Sequence, residues 1–337
     1  MRDIVSSAPA RASASAFLHR AARPKLAEAV FWLVPVAAFF IFPDRHAMFA
    51  EIAILALFAL SMDLLIGYAG IVSLGQAAFF GLGAYVAGLL GKHGWTEPLS
   101  GLLISGGVVA LGGFLVSFLI LRGSDLSRLM VTIGVAMMLA EAANKAAFLT
   151  GGADGLSGVV IDPIFGLYEF DLWGTTAYVY AGVVLFVLFL LARAVVGSPF
   201  GLAVKGVKGN RLRMSAIGAP VNKDLIAVFT LSAFYAGIAG ALLAQTTQFV
   251  SLDVLAFQRS AEVLLVVIIG GTGYLYGGLI GAVAFKLMHD WLADITAQYW
   301  QFWLGLALVV LVLVSRDGLK GLWQAGAKRL AKKEART

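Results

Sequence analysis

Residues 98–121 read PLSGLLISGGVVALGGFLVSFLIL and contain no charged side chain. As an α-helix this stretch is about 36 Å long, which exceeds the hydrocarbon core of a bilayer, about 30 Å thick. Nine further segments are similarly apolar, so spans are predicted over 26–43, 49–67, 74–91, 98–121, 127–149, 175–196, 225–247, 254–271, 274–292 and 298–314. We therefore expect an all-α polytopic membrane protein with about ten transmembrane helices (range 8–10), some of them short or broken.

The composition excludes most soluble classes of protein. Hydrophobic residues make up 60% and charged residues only 13% of the 337 residues, against about 25% charged residues in a soluble domain. A soluble enzyme, a disordered protein and a nucleic-acid-binding domain are excluded, and the lack of Cys excludes a disulfide scaffold. None of the four His lies at ligand spacing from another, so neither a metal nor a cofactor is expected: His19, His46, His93 and His289.

The positions of the basic residues predict which loops are cytoplasmic. If the N-terminus is cytoplasmic, the inside segments hold 18 of the 25 Lys and Arg, whereas the outside segments hold only Arg45 and Lys92. This asymmetry follows the positive-inside rule and places both termini in the cytoplasm. The chain is then divided into a cytoplasmic N-terminal segment 1–25, a transmembrane domain 26–314 with an inside loop 197–224, and a basic cytoplasmic tail 315–337.

Residues 63–85, DLLIGYAGIVSLGQAAFFGLGAY, are richer in glycine and polar residues than the spans that they join. Ser73 and Gln76 are three residues apart, which predicts that they share a helix face. One interpretation is a broken helix that faces a translocation path, because freed backbone groups are tolerated where they line a cavity. The other interpretation is a tight loop in which small residues allow close helix packing.

The inside loop 197–224 predicts one short basic amphipathic helix over 201–217. Apolar residues alternate there with Lys and Arg, and Gly218 and Pro220 are typical of a helix end. Such a helix either docks in a groove of a partner protein or lies on anionic lipid.

Residues 262–281 contain a second glycine-rich break, GGTG at 270–273, followed by the pair Gly277 and Gly281, whose spacing allows close approach of helices. The pattern G-x-x-x-x-G-K followed by Ser or Thr is absent from the whole chain. If transport is driven by ATP, the ATPase must therefore be a separate chain.

Several segments together resemble the permease subunits of branched-chain amino acid ATP-binding-cassette (ABC) transporters, the LivM-type family, which includes importers of urea, amides and related solutes. The resemblance rests on 63–85, on TGGADGL at 150–156, on SPFG at 198–201 and on EVLLVVIIGGTGYLYG at 262–277. The order and spacing of these motifs match the family over roughly residues 50–314.

The resemblance implies a pathway subunit of the bacterial inner membrane that catalyses no reaction and uses no cofactor. It implies a heterodimer with a second related permease, two cytosolic ATPase subunits and a periplasmic solute-binding protein, besides membrane lipid, and no nucleic acid. The implied substrate is a branched-chain amino acid or a related small polar or carboxylated solute. Candidate translocation-path residues are Asp63, Tyr68, Ser73, Gln76 and Tyr85. Candidate ATPase-coupling residues are Ser198, Gly201, Lys205, Lys208, Asn210, Arg211, Ala216 and Gly218.

The chain differs from the family pattern in the inside loop. The acidic residues that the family often has are absent from KGNRLRMSAIG at 208–218. This difference predicts an ATPase-docking surface that is more basic than in ordinary members.

Two other functions compete with the permease hypothesis. An ion-coupled secondary transporter would use Glu51, Asp63 or Glu141 as proton sites, because charged groups within spans are costly and usually functional. Alternatively, GLSG at 155–158 fits the motif of rhomboid-type intramembrane proteases, with His289 as the candidate partner of Ser157. For the remaining charges within spans, pairing is expected between Glu141 and Lys145 and between Arg259 and Glu262.

Overall fold

The computed structural model describes residues 26–121, 123, 125–171, 173–295, 302–303 and 305–306. This part of the chain is mainly helical, and its only β-type pairings are two isolated bridges. The helices are α1 (Leu26–Ile41), α2 (His46–Asp63), α3 (Gln76–Lys92), α4 (Pro98–Ile120), α5 (Asp125–Lys145), α6 (Ala147–Thr150), α7 (Thr175–Gly197), α8 (Pro199–Gly209), α9 (Arg211–Ala216), α10 (Val221–Thr247), α11 (Phe257–Gly270) and α12 (Leu275–Ile295). Short 3₁₀ turns cover Pro43–Arg45, Gly152–Asp154 and Leu252–Leu255.

The apolar helices agree in position with the predicted spans. Nine of the ten predicted segments coincide with a helix of the described chain. The tenth, 298–314, lies mostly outside the described residues, and the N-terminal segment 1–25 and the tail 315–337 lie entirely outside them. Among the described residues, five stretches are long and apolar enough to cross a bilayer: Pro43–Ala69, Pro98–Ile120, Leu126–Lys145, Thr175–Gly197 and Val221–Thr247. The bent pair Phe257–Gly270 and Leu275–Asp294 meets the same criterion when its two helices are taken together. The chain is thus a multi-pass membrane protein.

The predicted break near residue 272 is a sharp bend between α11 and α12. The two helices meet at 112°, with at most four residues between them. A Cβ atom on Gly270 would lie 1.8 Å from the carbonyl oxygen of Gly277, and one on Gly281 would lie 2.1 Å from that of Val266. The predicted close approach at Gly277 and Gly281 is therefore confirmed, because only glycine permits these contacts between backbones.

The core is formed around α2 and α10, which are mostly buried, whereas α5 presents most of its surface outward. The helices α3 and α10 cross with their backbones in contact. A Cβ atom on Gly240 would lie 1.8 Å from the carbonyl oxygen of Phe80, and one on Gly83 would lie 2.1 Å from that of Gly237. Since lipid offers no hydrophobic drive for helix association, such close packing is the main source of attraction between the helices.

The loops form two groups, one at each end of the molecule, as their mutual contacts show. At one end, Leu156 pairs with Val250, and the hydroxyl of Thr96 donates a hydrogen bond to Asp162. At the other end, which we call the basic end, residues 64–75, 198–218 and 271–274 lie together. This grouping is the one that the distribution of Lys and Arg predicts for outside and inside loops.

Two local predictions from the sequence are wrong. Residues 201–217 do not form one helix, because the chain is extended at Asn210, whose side-chain oxygen accepts a hydrogen bond from the backbone N–H of Arg213 at 2.9 Å. The Asn210 side chain thus caps a second helix, α9, as Asn commonly does. Ser73 and Gln76 do not share a helix face, since α3 begins only at Gln76.

The predicted pairs of charged residues are present. Lys145 lies 3.6 Å from Glu141, and Arg259 lies 3.2 Å from Glu262. Glu51 instead pairs with Lys286 at 2.8 Å, which joins α2 to α12.

Candidate functional site

Asp63 connects the two helix breaks that the sequence predicted separately. Its carboxylate is fully buried, and Oδ1 accepts a hydrogen bond from the backbone N–H of Gly273 at 2.7 Å. A Cβ atom on Gly67 would lie 2.0 Å from Asp63 Oδ1 and 2.4 Å from the nitrogen of Gly273. Because Gly67 has no side chain, the backbone between α11 and α12 can approach the Asp63 carboxylate at this point.

The chain after α2 leaves regular α-helical geometry, which makes a backbone carbonyl oxygen available to a partner outside the helix. Residues Leu64–Ala69 form a π-helical turn, and Gly70 ends it with a φ of +70°, a left-handed conformation that favours glycine. The Nζ of Lys208, on α8, donates a hydrogen bond to the carbonyl oxygen of Gly67 at 2.7 Å. The Lys208 side chain on α8 thus binds the backbone of the π-helical turn that follows α2. We call Asp63, Gly67, Lys208 and Gly273 the junction.

A second lysine of α8 lies beside the same break. The Nζ of Lys205 lies 5.2 Å from the centre of the Tyr68 ring, within range of a cation–π interaction. It also donates to the carbonyl oxygen of Val196 at 3.4 Å. Partial burial lowers the pKa of Lys205, because removal from water disfavours its charged form. Both lysines of α8 therefore contact the π-helical turn or the end of α7.

A series of buried hydrogen bonds lies next to the junction, where α2, α3 and α10 meet. It joins Gln76, Ser232 and Ser61, and we call it the polar chain. The Gln76 amide donates a hydrogen bond to Ser232 Oγ, which donates in turn to the carbonyl oxygen of Ser61 at 2.6 Å. All three residues are fully buried. Within the described residues, Gln76 Oε1 has no hydrogen-bond partner. An unsatisfied buried acceptor is costly in a fold, and such a group is often part of a functional site.

The structure separates the other candidate path residues. Ser73 is buried and accepts a hydrogen bond from the backbone N–H of Gly75 at 3.3 Å. Tyr85 is buried nine residues beyond Gln76 on α3, or about 13 Å along the helix axis. Among the described residues its hydroxyl has no hydrogen-bond partner. All five candidates are therefore buried, but they do not form one cluster of contacts.

The candidate coupling residues form a compact turn at the basic end. Ser198 begins α8 and its Oγ accepts from the backbone N–H of Gly201 at 3.3 Å. Gly201 is required because a Cβ atom there would lie 2.4 Å from the carbonyl oxygen of Val196. Arg211 donates to the Asn222 side chain at 2.9 Å, and Gly218 takes a φ of +85° after α9, which ends at Ala216.

Large apolar side chains are exposed on this same turn. Leu202, Leu212 and Ile217 are 45%, 83% and 72% exposed. An exposed apolar surface of this kind is typical of a contact, either with a partner protein or with the membrane interface.

Sequence reasoning missed four residues of the site. Gly67 and Gly273 were seen only as glycines of a break, since their contacts join segments about 200 residues apart. Ser61 and Ser232 were not selected, although a hydroxyl inside an apolar span is a weak signal of an interhelical contact.

Comparison with known proteins now decides the family. The profile described as branched-chain amino acid transport system, permease component, matches residues 46–315, which include the junction and the polar chain. The chain belongs to this family. The family is one of transporter permeases and not of enzymes. The GLSG stretch at 155–158, which fits the motif of rhomboid-type proteases, lies within the part of the chain that matches this permease family.

Individual relatives agree with this assignment. The chain is 28% identical over 287 residues to the high-affinity branched-chain amino acid transport system permease protein LivM of Salmonella typhimurium, and 26% identical over 282 residues to that of Escherichia coli. Each comparison covers 77% of this chain and 66% of the relative. It is 27% identical over 254 residues to the fructose import permease protein FruF of Bifidobacterium longum, covering 72% of this chain and 68% of the relative. No solved structure matches.

Proposed function

We propose that this branched-chain amino acid permease family member is the transmembrane subunit of an ABC importer. Separate ATPase subunits drive it, a second related permease completes the pathway, and a periplasmic binding protein delivers the solute. The observation that carries the proposal is the junction, because it connects the candidate ATPase-docking turn to both helix breaks.

In this proposal the basic end is the cytoplasmic face of a bacterial inner membrane. The chain crosses ten times, and α11 and α12 are separate short spans whose connection lies at this face. Support comes from the contact between residues 271–274 and the α2 break, together with the excess of Lys and Arg in the loops grouped there. A tenth span over 298–314 brings the basic tail back to the same face.

The proposed energy transfer uses few steps. ATPase subunits contact the exposed apolar and basic surface of α8 and α9 and favour one position of that turn. A shift of α8 moves Lys208, which pulls on the Gly67 carbonyl oxygen, and Asp63 carries the movement to Gly273. The two breaks then move together relative to α3 and α10, which carry Gln76 and Ser232, so that access to the polar chain changes.

The proposed solute is a branched-chain amino acid or a related small polar molecule. Two of the relatives are named for branched-chain amino acids and one for fructose. The polar groups of Gln76, Ser232 and Tyr85 are neutral donors and acceptors, which bind amides, hydroxyls and zwitterions without selecting one sign of charge.

Reconstituted uptake tests the transport class. The chain is co-expressed with its partner subunits and placed in vesicles with ATP inside. Uptake that requires ATP and resists uncouplers supports the ABC assignment. Uptake by the chain alone that is driven by a proton gradient would overturn it in favour of the ion-coupled alternative.

Cysteine crosslinking tests the docking turn. The chain lacks Cys, so Leu212→Cys and Ile217→Cys each introduce a unique thiol at an exposed site. We expect crosslinks from both positions to the ATPase. Trp95→Cys, exposed at the opposite end, is the matched control. Crosslinks that arise only from thiols placed in the tail would refute docking at α8 and α9.

A further inference from the structure

A long apolar groove lies on the outer surface between α4 and α10. It is open toward the outside of the helix bundle and has a volume of about 700 Å³. Phe114 and Phe118 line one side, Ile226 and Phe234 line the other, and Lys223 closes the end nearest to the basic end. The groove is therefore apolar along its length and cationic at one mouth.

A second recess, more polar, begins where the groove ends. It has a volume of about 510 Å³ and lies between α9 and the start of α10. Lys223 lines both spaces, and Arg211, Ser215 and Asn222 line only the recess. The two spaces are therefore neighbours that share one lysine, a polar recess beside α9 and an apolar groove between α4 and α10.

The dimensions of the groove match one leaflet of a bilayer. From Lys223 to Phe234, α10 rises eleven residues, or about 16 Å. Half of the hydrocarbon core is about 15 Å thick. A phospholipid acyl chain that lies in the groove would thus extend from the interface to the midplane, with its headgroup at the recess.

The charges at the mouth favour an anionic headgroup. Lys223 and Arg211 are both exposed or partly exposed. The hydrogen bond from Arg211 to Asn222 uses one of the five N–H donors of the guanidinium. The only acid in the first turn of α10 is Asp224, and it lines neither space. Basic pockets between helices at the cytoplasmic side of a membrane are a recognised arrangement for anionic lipid headgroups.

We propose that the α4–α10 groove and the adjoining recess form a site for one anionic phospholipid. Its phosphate is bound by Lys223 and Arg211, and one acyl chain lies against Phe114, Phe118 and Phe234. The bound lipid lies between the first turn of α10 and α9, so it supports the docking turn from the membrane side. This inference rests on the membrane location of the chain and on the cytoplasmic orientation of the basic end given under the proposed function, but not on the transport reaction itself.

Photolabelling tests the site directly. The full chain is placed in phosphatidylcholine vesicles that contain a small fraction of phosphatidylglycerol with a diazirine on one acyl chain, and labelled residues are mapped by mass spectrometry. We expect the label on the groove faces of α4 and α10, and we expect unlabelled phosphatidylglycerol to displace it at concentrations where added phosphatidylcholine does not.

Two variants separate charge from shape. Lys223→Gln should lower groove labelling about fivefold, because one basic residue near a membrane surface contributes about one kcal/mol to anionic lipid binding. Lys92→Gln, at the opposite end, is the matched control and should leave labelling unchanged. Ala227→Trp fills the groove from an exposed position and should abolish labelling without any change of charge.

Three results would overturn the proposal. The first is label spread evenly over all outward helices, and the second is unchanged labelling of Lys223→Gln. The third is a crosslink from Ala227→Cys to another protein chain in native membranes, which would mean that a second subunit covers the groove. None of these results depends on whether the vesicles transport solute.

Discussion

The carboxylate of Asp63 and the backbone N–H of Gly273 are hydrogen-bonded at 2.7 Å, although 210 residues separate them in the chain. Each residue belongs to a helix break, one between α2 and α3 and the other between α11 and α12. The carbonyl oxygen of Gly67, one turn after Asp63, binds Lys208 of α8. Both breaks and the turn formed by α8 and α9 therefore share one set of contacts. In the proposed mechanism, a movement of this turn reaches both breaks through these contacts.

We expect Gly67→Ala to lower both stability and transport. The added methyl group would lie 2.0 Å from Asp63 Oδ1 and 2.4 Å from the Gly273 nitrogen, so the breaks must separate. Overpacking of this kind typically costs about 1–3 kcal/mol. The measurements are the thermal unfolding midpoint in detergent and uptake in vesicles.

Gly182→Ala is the matched control for that substitution. Gly182 lies within α7, and a Cβ atom there meets no atom within 4 Å. Since alanine is favoured over glycine inside a helix by about 0.5–1 kcal/mol, the control should be as stable as the wild type or more so. A Gly67→Ala protein with wild-type stability and transport would show that the junction is not tightly packed.

Lys208→Met should reduce transport while ATPase subunits still bind. Methionine keeps most of the aliphatic length that packs on Gly70 but cannot donate to the Gly67 carbonyl oxygen. Hydrogen bonds from charged donors are stronger than neutral ones, so we expect a fall of at least about tenfold in uptake. Uptake and co-purification of the ATPase are measured together, with Lys92→Met as the control. Unchanged uptake would contradict the coupling role of this contact.

Gln76→Leu should separate stability from function. Gln76 has an acceptor without a hydrogen-bond partner in the described structure, and Ser232 keeps its bond to the Ser61 carbonyl oxygen after the change. The unfolding free energy should therefore change by no more than about 1 kcal/mol. If Gln76 binds solute, uptake should fall at least about tenfold, mainly through a higher KM.

Gln245→Leu is the contrasting variant. Gln245 is equally buried, but its amide donates to the Pro98 carbonyl oxygen and accepts from the Tyr180 hydroxyl, each at 2.8 Å. Its loss removes both bonds and leaves only the longer one, 3.4 Å, from the Tyr180 hydroxyl to the Pro98 carbonyl oxygen. The substitution should therefore cost about 1–3 kcal/mol. Equal destabilisation by both leucine variants would indicate that Gln76 is a structural residue as well.

Glu51→Gln should have little effect on either stability or energy coupling. The Glu51 side chain is about half exposed, and Lys286 retains Asp290 as a second partner at 3.3 Å. The expected loss of stability is therefore small, about 0–1 kcal/mol. Uptake should continue to require ATP and to resist uncouplers. A variant whose uptake no longer responds to a proton gradient, where the wild type does, would support the ion-coupled alternative.

The sequence predicted the elements better than it predicted the contacts. Runs such as 98–121 must be helical in lipid, so hydropathy located the helices to within a few residues. Close packing of small residues was one interpretation of 63–85, and Gly70, Gly75 and Gly81 each have a neighbouring protein atom within 3.0 Å of the Cβ position. The single helix over 201–217 was wrong because amphipathic periodicity does not detect a capping residue such as Asn210 in mid-pattern.

The amino-acid sequence by itself determined that the chain is a bundle of apolar helices, which loops lie at the same end, and where the helices break. These properties follow from local quantities, namely the hydropathy of a segment, the sign of a flanking charge and the backbone freedom of glycine. Only the tertiary structure decided that Asp63, Gly67, Lys208 and Gly273 meet, and that Gln76 contacts Ser232. Such contacts depend on how the helices cross, and the surfaces of these helices are almost uniformly apolar. In a bilayer the crossing of two helices is decided by close steric fit and by a few polar pairs. Both depend on two segments at once, so neither can be read from one segment alone.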